Sequence, residues 1–402
     1  MQYDFDHVTD RRNTDSLKWG KIEYMFGGED VLPMWVADMD FPIARPITEA
    51  LRERMEHEIY GYAFPDSSVI EAVIDRMQRE YGWTIEPEWV VFTPGVIPAL
   101  HAAVKAFAYP GDEVIVQEPV YYPFFPAIRN NGCHVANNQL KLINGRYEID
   151  FDDLKGKFNP KVAMRPSHSR ARMMILCSPH NPVGRVWTSE ELTRIGEIVL
   201  GNEAIMVSDE VHCELLFKGS KHTPFALISK EFEQRSVICM APSKTFNLAG
   251  LHASSIIIPS ARLRDRFNEA RDGIMPSVNI FGLTALEAAY RYGDEWLAQL
   301  LNYLQGNLEF LIQYFRERIP KIKAVRPEGT YLVWLDCREL GLAPMGLRAT
   351  MREKARVGLD DGFLFGSSGN GFQRMNIACP RSILEEALKR IEKAANDIEV
   401  RK

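Results

Sequence analysis

The alternation of apolar and polar positions divides this chain into segments of different period. Residues 1–45 show no regular period apart from an apolar run from Val31 to Ala37. Two later segments, Ile47 to Met55 and Ser68 to Tyr81, are amphipathic, because apolar side chains recur in them roughly every three or four residues. This spacing predicts a helix in each segment.

From about residue 90 onward, short and wholly apolar runs alternate with helical segments. The runs predict strands at Trp89 to Phe92, Glu113 to Gln117, Arg172 to Cys177, Ala204 to Ser208, Ser236 to Met240 and Ser254 to Ile258. Between them, Pro98 to Phe107 and Thr188 to Leu200 have helical spacing, and Thr188 and Glu191 form a capping box at the start of the second. This alternation predicts a mostly parallel central sheet covered by helices on both faces.

The pattern changes again after about residue 285. A long amphipathic helix is predicted to begin with Asp294 as its N-cap, and a strand is predicted at Tyr331 to Asp336. A glycine-rich loop at 366–371 and a final helix at Ser382 to Ile398 complete the chain. These elements are typical of a small α+β unit.

The length of the chain fits two domains. A chain of 402 residues exceeds one ordinary hydrophobic core. The alternation of strands and helices, which ends near residue 285, predicts an α/β fold with a large domain at 48–288. A smaller domain is expected to combine the N-terminal segment, 1–47, with a linking helix and C-terminal part, 289–402. The hydrophobic fraction of 46% and the charged fraction of 25% are ordinary for globular proteins.

Charge and composition exclude several classes of partner. The net charge is −6 and no run of lysine or arginine occurs, so we expect no nucleic-acid partner. No segment approaches the ~18 apolar residues of a membrane span, and Met1 to Thr9 does not resemble a signal peptide. We therefore expect a cytoplasmic protein. No two of the six cysteines lie within four residues of each other, which favours buried reduced thiols over a metal site.

Three polar side chains follow predicted strands directly. Lys244, in the motif Ser-Lys-Thr-Phe-Asn, carries an amine that can form an imine with an aldehyde cofactor. Asp209 can pair with a protonated pyridine nitrogen, and Asn181, in Ser-Pro-His-Asn-Pro-Val-Gly, can donate to a phenolic oxygen. Each of them alone is also compatible with an ordinary loop. Because the carboxyl ends of parallel strands share one sheet edge, we expect them to lie together.

Further candidate residues could bind the phosphate and the flat ring of one planar phosphorylated aldehyde, and a substrate carboxylate beside it. The segment Thr-Pro-Gly-Val-Ile-Pro at 93–98 opens a helix, where free backbone N–H groups suit a phosphate. Tyr121, beside Tyr122, can stack on a flat ring, and Arg374 can clamp a carboxylate, although a surface salt bridge is the alternative. Asp209 and His212 also have a spacing found in metal sites, but no third ligand is evident, so no metal is predicted.

The order of these motifs resembles fold-type I pyridoxal 5'-phosphate (PLP) enzymes of the aminotransferase class I and II superfamily. The shared motifs are Gly-Val-Ile-Pro-Ala, Pro-Val-Tyr-Tyr-Pro, Ser-Pro-His-Asn-Pro-Val-Gly, Ser-Asp-Glu-Val-His, Ser-Lys-Thr-Phe-Asn-Leu-Ala-Gly-Leu and Arg-Met-Asn-Ile-Ala-Cys-Pro-Arg. Within the superfamily, the chain resembles the MalY/PatB-type cystathionine β-lyase group through Asp-Phe-Asp at 4–6, Trp-Val-Ala-Asp-Met-Asp-Phe at 35–41, and His212 where many aminotransferases have tyrosine. The resemblance covers nearly the whole chain.

The resemblance implies a role for each candidate. It makes Lys244 the cofactor anchor and catalytic base, and it makes Tyr121 a catalytic residue that stacks on the ring. It assigns further cofactor contacts to Val96, Ile97, Asn181, Asp209, His212 and Ser243. It assigns the substrate to Arg374, Asn181 and Tyr122. Tyr62 would reach the phosphate of a neighbouring subunit, so a homodimer with shared active sites is implied.

Two features depart from the pattern or stand outside it. Many aminotransferases have a phosphate-binding arginine eight residues after the lysine, but this chain has His252 there, and the β-lyase group often lacks that arginine too. The stretch from Lys157 to Arg172 is basic and matches no role.

The function that the resemblance implies is a PLP-dependent carbon–sulfur β-lyase. It would convert L-cystathionine or a related cysteine S-conjugate to pyruvate, ammonia and a thiol. An aminotransferase is the alternative, because it shares the first chemical steps, and the sequence barely separates the two. A protein that only binds a regulatory partner need not keep Lys244 and Asp209, which argues against that third hypothesis. The sequence does not identify the preferred cysteine S-conjugate.

Overall fold

The structure is a computed structural model that describes residues 2–28, 30–158 and 171–399. Most of the basic stretch at 157–172, to which the sequence assigns no role, therefore lies outside the described residues. Within the described ranges, no helix has both the length and the apolar character needed to cross a membrane.

A seven-stranded sheet forms the centre of the molecule. Its strands, in spatial order, are Val90–Thr93, Ser254–Ile257, Ser236–Met240, Ile205–Asp209, Ala171–Cys177, Glu113–Val116 and His134–Asn137. Five of these strands run parallel from Ser236–Met240 to His134–Asn137, so the prediction of a mostly parallel sheet is confirmed. Ser254–Ile257 runs antiparallel to both of its neighbours.

Helices cover both faces of this sheet because successive strand residues point to opposite sides. Val114 and Val116 pack into a core with the helices Val96–Phe107 and Ala261–Arg271. Ile115, between them, belongs to the core on the other face. That second face is covered by the helices Arg45–Glu56, Ser67–Tyr81, Ser189–Gly201 and Ile280–Tyr292. The capping box of Thr188 and Glu191 is present, as predicted.

A smaller antiparallel sheet is formed by the C-terminal part. Its strands, in spatial order, are Lys323–Val325, Leu332–Asp336, Phe372–Asn376 and Asp360–Asp361. The N-terminal strand Leu32–Pro33 pairs in parallel with Val357–Gly358, which joins the two ends of the chain. The domain limits 1–47, 48–288 and 289–402 stay a prediction.

Two long helices accompany this sheet, Asp294–Arg318 and Arg381–Glu399. The prediction of Asp294 as N-cap was wrong, because Gly293 is the N-cap and Asp294 is already helical. The Asp294 carboxylate forms ion pairs with Arg76 and Arg79 instead of capping the helix.

The remaining elements among the described residues are short. The helices are Leu17–Gly20, Ile22–Phe26, Phe124–Arg129, Phe151–Gly156, Lys230–Gln234, Pro242–Thr245 and Pro344–Ala349. A hairpin is formed by Lys141–Ile143 and Arg146–Glu148. Short 3₁₀ and π turns lie at Pro87–Trp89, Phe225–Leu227, Ala249–Leu251, Arg338–Leu340, Thr350–Lys354, Gly362–Phe365 and Ser367–Gly369.

Candidate active site

A cavity of about 380 Å³ lies at the carboxyl edge of the large sheet. It is lined by Pro94, Gly95, Val96, Ile97, Pro98, Tyr121, Asp209, Val211, Ser243, Lys244, Ala249, His252 and Ala253. Six of the side chains or backbone groups that the sequence singled out thus meet in one place, although they come from distant parts of the chain. The topology explains the meeting, because the parallel strands end at this edge.

Lys244 lies in the short helix Pro242–Thr245, just after the strand Ser236–Met240. Its Nζ donates a hydrogen bond of 2.8 Å to the carbonyl oxygen of Ala37. Burial lowers the pKa of Lys244 to about 8, against the opposing effect of the Asp38 carboxylate. A substantial fraction of the amine is therefore neutral near that pH and able to act as a nucleophile or a base.

Asp209 ends the strand Ile205–Asp209 and is buried. Its Oδ1 accepts a hydrogen bond of 3.2 Å from the backbone N–H of Val211, and no salt bridge to it is found among the described residues. Burial raises the pKa of Asp209 to about 7. A cationic pyridine nitrogen in the cavity would provide the partner that favours the carboxylate form, so this residue fits PLP.

Another part of the cavity lining suits a phosphate. The helix Val96–Phe107 begins there, and its N-cap Gly95 provides no side chain to accept from the first N–H groups. Gly95 has a φ of 149°, a conformation that side chains disfavour. The N–H groups of Val96 and Ile97 have no acceptor within the helix, so they can bind an anion beside Ser243. His252 lines the same cavity in the left-handed conformation, with a φ of 51°.

Arg374 is buried on the strand Phe372–Asn376 of the small sheet. Its guanidinium donates to Asn181 Oδ1 at 3.0 Å and to the Trp35 carbonyl at 2.8 Å, and it forms an ion pair with Asp360. Its buried Nε has no hydrogen-bond partner among the described residues. Because Asn181 uses its oxygen for Arg374, its amide nitrogen is free to donate to a ligand.

Two adjacent tyrosines, Tyr121 and Tyr122, contact different parts of the site. The Tyr121 ring lines the cavity and lies 5.6 Å from the Tyr122 ring, centroid to centroid. Burial raises the pKa of Tyr121, so its hydroxyl stays protonated. Tyr122 does not line the cavity but packs edge-on against Phe365 at 5.5 Å, and the Arg374 guanidinium lies over the Phe365 ring. Tyr122 therefore lies on the Arg374 side of the site and outside the Lys244 cavity.

His212 is buried beside this site. Its ring packs edge-on against Tyr331 at 5.9 Å, and its Nδ1 has no hydrogen-bond partner in the described part of the chain. Burial lowers the pKa of His212 far below its usual range, and the charges of Lys244 and Arg374 add to this effect. The imidazole is thus neutral, with a nitrogen available for a ligand.

Tyr62 is not part of the cavity within one chain. Its side chain is fully exposed and lies in a surface hollow with Arg54 and Phe64. A contact between Tyr62 and a cofactor therefore requires a second subunit, and this predicted contact stays a prediction.

Some residues of the site carried no sequence signal for it. Tyr331 donates from its hydroxyl to the Ala37 carbonyl at 2.9 Å, and Asp360 balances the charge of Arg374. Ala37 lies in the apolar run at 31–37, but the role of its carbonyl has no sequence signature, because every residue supplies a backbone carbonyl.

The cysteine side chains lie in the protein interior. The six cysteines are buried and unpaired, as the sequence predicted. Over the described ranges, no group of three or more His, Cys, Asp or Glu side chains is arranged to hold a metal ion.

Comparison with known proteins gives a consistent result over the whole chain. Residues 20–391 match the family described as Aminotransferase class I and II. The chain is 44% identical to "Cystathionine beta-lyase PatB" of Bacillus subtilis, covering 97% of this chain and 99% of that protein. It is 30% identical to "Protein MalY" of Escherichia coli, covering 96% and 97%. It superimposes with a TM-score of 0.94 on cystalysin from Treponema denticola, a structure that contains a pyridoxal 5'-phosphate cofactor, at 36% identity over 99% of this chain and 100% of that one.

Proposed function

The chain belongs to the aminotransferase class I and II family, and from this membership and the cavity around Lys244 we infer that it is a PLP-dependent carbon–sulfur β-lyase. The substrate is L-cystathionine or a related cysteine S-conjugate, and the products are pyruvate, ammonia and a thiol. The whole-chain similarity to PatB carries the choice of reaction. The fold is that of fold-type I PLP enzymes, as the resemblance implied.

The proposal assigns the cofactor to the cavity. Lys244 anchors it through its amine, and Asp209 holds a proton on the pyridine nitrogen. The other residues proposed to contact it are Val96, Ile97, Tyr121, Asn181, His212 and Ser243. When bound, PLP supplies an electron sink that acidifies the α-proton of an amino acid. The buried Asp209 carboxylate and the uncapped helix start at Gly95 support this assignment.

The substrate is assigned to the arginine side of the site. Arg374, with Asn181 and Tyr122, binds the α-carboxylate, because a guanidinium matches a carboxylate in charge and geometry. The substrate's own amino group displaces the Lys244 amine, which is then free to take the proton from Cα. The Cβ–S bond breaks to release the thiolate, and addition of water to the remaining three-carbon unit gives pyruvate and ammonia. The lowered pKa of Lys244 supports the second step, since the amine is partly unprotonated at neutral to mildly basic pH.

We also propose a homodimer in which Tyr62 contacts the cofactor phosphate of the neighbouring subunit. Its support is the full exposure of Tyr62 together with exposed Ile59, Tyr60 and Phe64 on the same segment. A group of exposed aromatic residues is typical of a protein interface. A cytoplasmic location belongs to the same proposal, since six unpaired cysteines fit a reducing compartment.

The direct test measures pyruvate release from L-cystathionine by purified, PLP-loaded protein with no 2-oxo acid present. We expect pyruvate, ammonia and homocysteine in equal amounts over many turnovers, and no product from the Lys244→Ala variant. No pyruvate, but amino transfer once a 2-oxo acid is added, would reassign the protein as an aminotransferase with the same fold.

A further inference from the structure

The carbonyl oxygen of Ala37 accepts hydrogen bonds from two side chains of the site. Lys244 Nζ donates to it at 2.8 Å and the Tyr331 hydroxyl donates to it at 2.9 Å. A carbonyl oxygen has two lone pairs, so these two donors fill its capacity. Tyr331 is buried, and burial raises the pKa of its phenol so far that the hydroxyl remains a donor at any working pH.

This carbonyl is held in place independently of its two donors. Asn376 Nδ2 donates to the carbonyls of Val36 and Asp38, on either side of Ala37, at 2.6 Å each. Asn247 Nδ2 donates to the next carbonyl, that of Met39, at 3.0 Å. The acceptor therefore has a fixed position, and loss of the Tyr331 hydroxyl is expected to leave it there.

We propose that Tyr331 is a positioning residue for Lys244: its hydroxyl occupies one lone pair of the Ala37 carbonyl, so that the free lysine amine docks there through a single N–H. An amine that donates one N–H to Ala37 has its lone pair directed away from that carbonyl, where it is free to take a proton. The inference rests on the proposed function in one respect, which is that Lys244 acts as the base at Cα.

Sharing the acceptor also affects the protonation of the lysine. An ammonium gains more than a neutral amine from an acceptor that it does not have to share, because the charged donor makes the stronger hydrogen bond. Removal of the Tyr331 hydroxyl therefore favours the ammonium. The other charged groups that act on Lys244 are Asp38 and Asp209, which favour its ammonium form, and Arg374, which disfavours it. The neighbouring His212 is neutral, so it adds no charge, and the effect of Tyr331 on the pKa of Lys244 is added to that of these three groups.

Tyr331→Phe tests the proposal, because it keeps the ring that packs against His212 and removes only the hydroxyl. The variant leaves no buried acceptor unpaired, since the Ala37 carbonyl keeps its bond from Lys244. Tyr147→Phe is the matched control. Tyr147 is also buried, but its hydroxyl accepts from Trp334 Nε1 at 3.1 Å and lies outside the Lys244 cavity.

The first readout uses cofactor-free protein and does not depend on the reaction. The rate at which acetic anhydride modifies Lys244 is measured by peptide mass spectrometry as a function of pH. We expect the apparent pKa of Lys244 to rise by about half a unit in Tyr331→Phe and to stay unchanged in Tyr147→Phe. The size of the rise corresponds to part of the free energy of one hydrogen bond, because the Ala37 carbonyl is no longer shared between two donors. Equal titration curves for the wild type and Tyr331→Phe would overturn the proposal.

The second readout is the PLP-loaded enzyme with its amino-acid substrate. We expect Tyr331→Phe to lower kcat by roughly two- to threefold below pH 8, which is the loss of neutral amine that a pKa rise of about half a unit causes, with KM unchanged, and to increase the isotope effect of an α-deuterated substrate. A raised KM with unchanged kcat would contradict a role through Lys244. If the protein proves to be an aminotransferase, the labelling result still decides the proposal, because it concerns the free lysine alone.

Discussion

Replacement of Arg374 separates two contributions of one side chain, the binding of substrate and the neutralisation of a buried carboxylate. Arg374→Leu removes the guanidinium and leaves an apolar side chain in the same buried strand, Phe372–Asn376. It also removes the ion pair with Asp360 and the hydrogen bonds to Asn181 and Trp35. Burial already raises the pKa of Asp360, so that carboxylate becomes costly without its partner.

The expected magnitudes follow from these contacts. Two charge-assisted hydrogen bonds to a substrate carboxylate, each worth about 1.5–3 kcal/mol, correspond to a loss of roughly 10²- to 10⁴-fold in kcat/KM. Removal of one partner of a buried ion pair costs about 3–5 kcal/mol in the free energy of unfolding. The double variant Asp360→Asn/Arg374→Leu has no unpaired carboxylate, so it should regain most of the stability and none of the activity.

Denaturant unfolding of the cofactor-free variants and steady-state kinetics of the PLP-loaded forms measure the two effects separately. Arg374→Lys is the control that keeps the charge but not the bidentate geometry, and it should lie between the wild type and Arg374→Leu in kcat/KM. An unchanged KM in Arg374→Leu would contradict the binding of substrate by this arginine. Recovery of activity together with stability in the double variant would contradict it as well.

Three further predictions concern stability and assembly. Gly196→Ala should destabilise the protein by about 1–3 kcal/mol, because the added Cβ would lie 2.1 Å from the Phe232 ring. Gly201→Ala in the same helix is the control, because its added Cβ would meet no heavy atom within 4 Å. Urea unfolding of both variants measures the difference. Burial lowers the pKa of His180 to about 4 while the unfolded chain titrates near 6.5, so the unfolded state binds more protons between these values and stability falls as the pH drops through them. His180→Asn should reduce that slope by up to about 1.4 kcal/mol per pH unit, and an unchanged slope would contradict the assignment. Tyr62→Ala should weaken PLP retention, measured by equilibrium dialysis, and an unchanged affinity would argue against a shared site.

The sequence predicted the large sheet well because its strands are short, wholly apolar and followed by polar motifs. It did not predict the edge strand His134–Asn137, whose side chains are mostly exposed or half-buried and show no apolar run. Nor could it reveal that Ser254–Ile257 runs antiparallel. The connection at 241–253 contains only the short helices Pro242–Thr245 and Ala249–Leu251, and neither is long enough to cross the sheet face.

The residues of the candidate site also divide into those that a sequence pattern reveals and those that it does not. Lys244 and Asp209 could be predicted because each follows a strand end, and the sheet topology then brings them together. Tyr331 and Ala37 could not, because their contact joins residues 294 positions apart and uses a backbone carbonyl that has no sequence signature. The contact of Tyr62 with the cofactor of a neighbouring subunit stays a prediction.

Both the binding of the cofactor and the movement of the proton are assigned to Lys244 in the proposed function. Borohydride reduction of the PLP-loaded protein, followed by peptide mass spectrometry, identifies the lysine that carries the reduced cofactor. We predict a single modified peptide with the label on Lys244, and loss of that label when an amino-acid substrate is added before reduction. A label on another lysine, or none, would contradict the assignment of this cavity as the active site.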